Sequence, residues 1–156
     1  MRKNSGITLI TLVITIIVML ILAGISINMT IGNGGIFNTT QKAIDTTTNE
    51  TELEELNVII EQCLNDSMIQ GYGAYITDRA LYVSIKEVIG YSNDGTLKDV
   101  KVSKTNEGDY LITFIETKRQ YSISKSGEIS EEYTYVDNIE SITDIFKGIT
   151  DESVIE

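Results

Sequence analysis

Residues 7–31 run for 25 positions without a charged side chain, ITLITLVITIIVMLILAGISINMTI. As a helix this stretch extends roughly 37 Å at about 1.5 Å per residue, more than the roughly 30 Å of bilayer hydrocarbon. Its many Ile, Val and Thr residues favour strand in water. In lipid, however, a spanning segment must satisfy its own backbone, which selects helix. Thr8, Thr11, Thr15, Ser26 and Thr30 suit such a helix, because a hydroxyl can bond back to a carbonyl one turn earlier. The stretch exceeds the apolar region of a secretory signal peptide, and residues 22–28 within it offer no good small-x-small cleavage pair. A core helix of a soluble protein would keep a polar face, and none exists here. The expectation is one membrane-spanning helix.

Charge sharpens this division. The chain carries Lys+Arg 12 against Asp+Glu 23, a net of −11, and all 23 acids lie from Asp45 onward. Residues 42–156 hold 10 bases and 23 acids, and 10 − 23 gives −13. A body of that sign repels phosphate backbones, so no nucleic-acid binding by its acidic bulk is expected. With His 0, a Ser-His-Asp or Cys-His nucleophile and His-ligated metal sites are excluded. The one cysteine, Cys63, closes no intrachain disulfide and forms no CxxC knuckle. Arg2 and Lys3 precede the apolar stretch, and the next charge is Lys42. The positive-inside rule therefore puts the N-terminus in the cytoplasm and the acidic body outside, on a single-pass protein of the cell membrane.

The start of the apolar stretch is more specific. Arg2-Lys3-Asn4-Ser5-Gly6 leads into Ile7-Thr8-Leu9-Ile10-Thr11-Leu12-Val13. This resembles the N-terminus of type IV pilins and pseudopilins, where a short basic leader ends in Gly and the pattern G-F-T-L-I-E-L-V follows. The resemblance implies that a prepilin peptidase cuts between Gly6 and Ile7 and methylates the new amine on Ile7. It also implies that residues 8–13 (Thr8, Leu9, Ile10, Thr11, Leu12, Val13) form the assembly motif. Glycine suits a cleavage site because it lacks a side chain and lets the backbone extend. Two positions depart from the pattern. Ile7 stands where Phe is commonest, and Thr11 stands where most members place Glu. In the family that carboxylate neutralises the terminal ammonium of a neighbouring subunit; a hydroxyl carries no charge to do so.

The implied organisation is a leader over 1–6, a transmembrane and assembly helix over 7–31, a Gly-rich hinge over 32–37 and an extracytoplasmic domain over 38–156. Within that domain, Asn38 and Gln41 read as a capping box for a helix running to about Ile69. Thr46, Thr47, Thr48 and Asn49 weaken its first half. Leu53, Leu56, Ile60, Cys63 and Leu64 form an apolar stripe in its second half, while Glu50, Glu52, Glu54, Glu55 and Glu61 read as a solvated face. Gly71-Tyr72-Gly73 is a loop. A short helix follows, capped by Asp78, with Leu81, Ile85, Val88 and Ile89 inward and Gly90 at its end. Asn93-Asp94-Gly95 is a turn without a calcium-loop pattern.

From Val100 the period becomes two. Val100 to Ser103, Tyr110 to Ile115 and Tyr121 to Ser124 read as strands, with turns at 106–109, 116–119 and 125–128 before Ile129. Ile139, Ile142, Ile145, Phe146 and Ile149 offer a helix stripe, or a loose end. The fold class expected is α+β: a long N-terminal helix, membrane-spanning then amphipathic, packed on a small antiparallel meander in a pilin-like layout. Adjacent pairs such as Glu54-Glu55 and Glu131-Glu132 point apart in either regular structure. No catalytic constellation, cofactor or metal site is expected, so the chain reads as no enzyme. The function expected is a structural pilin-like or pseudopilin-like subunit, cleaved after Gly6 and assembled through its apolar helix into a filament, as a major or minor subunit. Its partners would be the prepilin peptidase, other pilin-like subunits and membrane lipid. The alternative is a single-pass anchored binding module that does not polymerise.

Overall fold

A computed structural model describes residues 5–31, 35–92, 96–130 and 132–149. Residues 1–4 of the expected leader, 32–34 of the expected hinge, 93–95 of the expected turn, Glu131 and residues 150–156 lie outside the described residues. The chain divides into two compact units, Met1–Glu50 and Thr51–Glu156.

The first unit holds α1 (Ser5–Ile31) and the start of α2 (Ile36–Ile69). α1 contains no charged residue, and its 19-residue portion Leu9–Ile27 has no buried position, so it is long and apolar enough to cross a membrane. The expected back-bonding is present: the hydroxyls of Thr15, Ser26 and Thr30 donate to the carbonyls of Leu12, Leu22 and Ser26 respectively, each at 2.8 Å. α2 begins earlier than the capping box suggests. The Thr39 N–H donates to the Gly35 carbonyl at 3.1 Å, which leaves Asn38 inside the first turn rather than capping it. The threonine-rich stretch remains helical, with Thr46 and Thr48 hydroxyls bonded to the carbonyls of Lys42 and Ile44.

The second unit is α+β. It combines the rest of α2, α3 (Asp78–Val88) and a four-stranded antiparallel sheet of β1 (Val100–Lys104), β2 (Tyr110–Phe114), β3 (Arg119–Ile123) and β4 (Thr134–Tyr135) in sequential order. The register Val102↔Ile112↔Tyr121 aligns one buried row across three strands. That face meets Leu56, Ile59, Ile60 and Cys63 of α2 and Leu81 and Ile85 of α3 in one core. The approach is close at Gly127, which has φ +90 and where a Cβ would stand 2.9 Å from Ile60 Cγ2. Leu53 and Leu64 flank the core half-buried, and Ile59 joins the stripe that the sequence places there.

Four local expectations need correction. Thr77, not Asp78, caps α3: its Oγ1 accepts the Ala80 N–H at 3.2 Å. β3 starts at Arg119, two residues early, because the chain reverses over residues 115–118 with Lys118 in a left-handed conformation (φ 59). Ile129 forms only a bridge to Ile123, and the fourth strand lies further on at Thr134–Tyr135. The spacing from Ile139 to Ile149 produces no α-helix. A 3-10 turn (Ile139–Ser141) is followed by irregular chain, because Asn138 and Asp144 carboxamide and carboxylate oxygens accept the N–H groups of Glu140 and Phe146. Gly90 does end α3, its N–H bonded to the Ile85 carbonyl.

Candidate functional site

The residues singled out by sequence, Gly6, Ile7 and 8–13, all fall in the first turns of α1. The Gly6–Ile7 bond is therefore helical here rather than extended. The cleavage that the resemblance implies at that bond would require the first turn to unwind. The first four N–H groups of a helix lack intrahelical partners, and glycine lowers helix stability by about 1 kcal/mol, so unwinding costs least at this end. Leu9, Ile10, Leu12 and Val13 are exposed, and so are the large apolar side chains through Ile27.

A second cluster escaped the sequence reading. Glu52, placed there on a solvated face, is 5% exposed and accepts three hydrogen bonds from the sheet and its turn. The Thr117 hydroxyl donates to Oε1 at 2.5 Å, the Tyr121 hydroxyl to Oε2 at 2.7 Å and Arg119 Nη1 to Oε2 at 3.4 Å. Arg119 is 2% exposed and lies 4.9 Å from the ring centroid of Tyr133. Burial works against its charge, but the Tyr135 hydroxyl and the Glu52 carboxylate outweigh that and hold its pKa above the ordinary value. Glu52 also helps to raise the carboxyl of its half-buried neighbour Glu55, after burial itself. With both oxygens of Glu52 engaged, the arrangement acts as a clasp between α2 and the sheet.

The third cluster sits where α3 begins. Asp78 Oδ1 accepts the Tyr110 hydroxyl at 2.5 Å, and Lys104 Nζ lies 2.5 Å from Oδ1 and 2.7 Å from Oδ2. These groups, with Gln70, Tyr72 and Arg79, line an open cleft of about 390 Å³. Cys63 is buried and free, as its place on the apolar stripe implies; burial pushes its thiol up to about 12. Among the described residues no group of three Cys, Asp or Glu side chains converges to hold a metal.

The buried phenols and the thiol set an alkaline limit. Burial, then the hydrogen bond to Asp78, raises Tyr110; burial, then the hydrogen bond to Glu52, raises Tyr121. In the unfolded chain these phenols ionise near pH 10 and the thiol near 8.5. Above that range the unfolded state holds fewer protons than the folded one, so stability falls as pH rises. Three such groups give a slope of about 4 kcal/mol per pH unit above pH 10. Urea midpoints should fall steeply between pH 9 and pH 11, and a constant midpoint would contradict the assigned burial.

No family model matches the chain, and no curated protein or solved structure matches it.

Proposed function

We propose that the chain is a pilin-like or pseudopilin-like structural subunit. Prepilin peptidase cuts it after Gly6 and methylates it on Ile7, and α1 anchors it in the membrane. The basic residues Arg2 and Lys3 stay cytoplasmic, and the acidic α+β unit faces outward. One observation carries the reading: a basic leader, Gly6 and the order T-L-I-T-L-V head a 27-residue helix that lacks charge and whose large apolar side chains from Leu9 to Ile27 are exposed. Lipid covers such a helix in the monomer. Packing against copies of itself replaces lipid by close van der Waals contact, the force that associates helices in membranes. The helix-and-meander architecture of the second unit is compatible with a pilin globular domain. No catalytic activity is assigned.

Thr11 favours a minor subunit or a processed but unpolymerised anchor, since the new ammonium on Ile7 meets a hydroxyl and no carboxylate. N-terminal sequencing and intact mass of the chain isolated from its own membrane test the central claim. The expected product starts at Ile7 and carries one added methyl group. A chain starting at Met1 or Arg2 overturns the reading. Shearing cells then separates the two arrangements, because filaments release the protein into the medium and an anchored subunit stays with the membrane fraction.

A further inference from the structure

After β4 the chain returns along the outer edge of β1 as a strap, residues 138–149. Val102 is the middle residue of that edge strand, and both of its outward backbone groups are taken by consecutive strap residues. The Ile145 N–H donates to the Val102 carbonyl at 2.8 Å, and the Val102 N–H donates to Asp144 Oδ1 at 3.3 Å. A side-chain carboxylate thus stands in for the carbonyl of a fifth strand. The same Asp144 oxygen accepts the Phe146 N–H at 3.1 Å. Phe146 turns inward, 1% exposed, and packs edge-to-face on Tyr82 with ring centroids 5.3 Å apart. The Tyr82 hydroxyl donates to the Ile149 carbonyl at 2.9 Å, and Lys101 Nζ donates to the Ile139 carbonyl at 2.8 Å. Between these fixings the strap stands away from the sheet. A cleft of about 260 Å³ separates Leu97, Val100 and Ile115 from Ile142 and Lys147.

The strap therefore meets the sheet as a short ligand meets a sheet edge, through an acidic, an apolar and an aromatic residue in succession. We propose that the outer edge of β1, with the slot beside Tyr82, is a docking site for an extended segment of this pattern, occupied in cis by the chain's own strap and in trans by the strap of a second copy. A second copy is the partner because its residues 139–149 carry every group that the site contacts in cis, from the Ile139 carbonyl through Asp144, Ile145 and Phe146 to the Ile149 carbonyl. Exchange of identical elements costs little once the cis strap is released, whereas the covalent tether keeps the cis form dominant in dilute protein. Reciprocal exchange would join two copies edge to edge and leave no free β1 edge in either.

The test uses the full chain in detergent micelles and a fluorescent peptide of residues 141–148. Phe146→Ala empties the slot, and the peptide should then bind at least about tenfold tighter than to the unaltered chain. Alanine in place of either the Asp or the Phe of the peptide should abolish that gain. Amide exchange at Val102, accelerated by the substitution, should slow again on peptide addition. Asp144→Ala frees the Val102 N–H while leaving Phe146 in place, and serves where near-ultraviolet tyrosine dichroism shows that Phe146→Ala has unfolded. Uptake no greater than that of the unaltered chain in the folded variant overturns the proposal. Binding that survives loss of the peptide's aromatic residue also overturns it.

Discussion

Glu52→Leu is expected to destabilise the second unit by about 3–5 kcal/mol, the usual cost of removing one partner of a buried ion pair. The substitution removes the carboxylate that balances the Arg119 guanidinium, 2% exposed, and takes the acceptor away from the Thr117 and Tyr121 hydroxyls. Small domains are stable by only about 5–15 kcal/mol, so the loss brings this one close to unfolding at ordinary temperature. A paired substitution shows where the cost originates. In Glu52→Leu with Arg119→Met the buried charge disappears together with its partner, and most of the stability should return. Urea unfolding of the full chain in detergent, followed by near-ultraviolet tyrosine dichroism, measures both. A single-variant cost below about 1 kcal/mol would mean that Arg119 is not left as an uncompensated buried charge, and would contradict the clasp.

The clasp also marks where reading the sequence stopped short. Glu52 lies among Glu50, Glu54 and Glu55, and a run of glutamates is ordinarily a wet helix face. Its partner is 67 residues away, so no local pattern announces the pair. Spacing did hold a signal. Position 52 stands four, seven and eight residues before Leu56, Ile59 and Ile60, which places it on the buried stripe. Arg119 likewise alternates with Tyr121 and Ile123 on the inner face of β3 once the strand is begun two residues earlier. The strands and α3 were legible because period and turn residues agree there. The end of the chain was not, because its helical spacing competes with Asn138 and Asp144, whose side chains bond the nearby backbone. α1 was the most legible element, since apolar length alone decides it. The residues proposed for processing lie on α1, but what acts on them is a partner outside the chain.

Gly6→Arg is expected to abolish processing, leaving a chain that retains its leader and an unmethylated Met1 end. Two effects act together. In the proposed processing the peptidase would have to take the Gly6–Ile7 bond out of the first turn of α1, and Arg stabilises a helix relative to Gly by somewhat under 1 kcal/mol. More decisively, a long charged side chain replaces a hydrogen next to the scissile bond, where the backbone has to enter the enzyme. Gly6→Ala separates these contributions, since Ala is the stronger helix former but adds only a methyl group. If steric access dominates, Gly6→Ala is still cut, more slowly, while Gly6→Arg is not cut at all. If helix unwinding dominates, Ala impairs cutting at least as much as Arg. Intact mass of membrane-extracted protein reads each case directly, and the tyrosine dichroism of the second unit, which begins at Thr51, should be the same in all three chains. A Gly6→Arg chain with the mass of processed wild type would remove the basis for assigning cleavage to this bond, and with it the reading of residues 8–13 as an assembly motif.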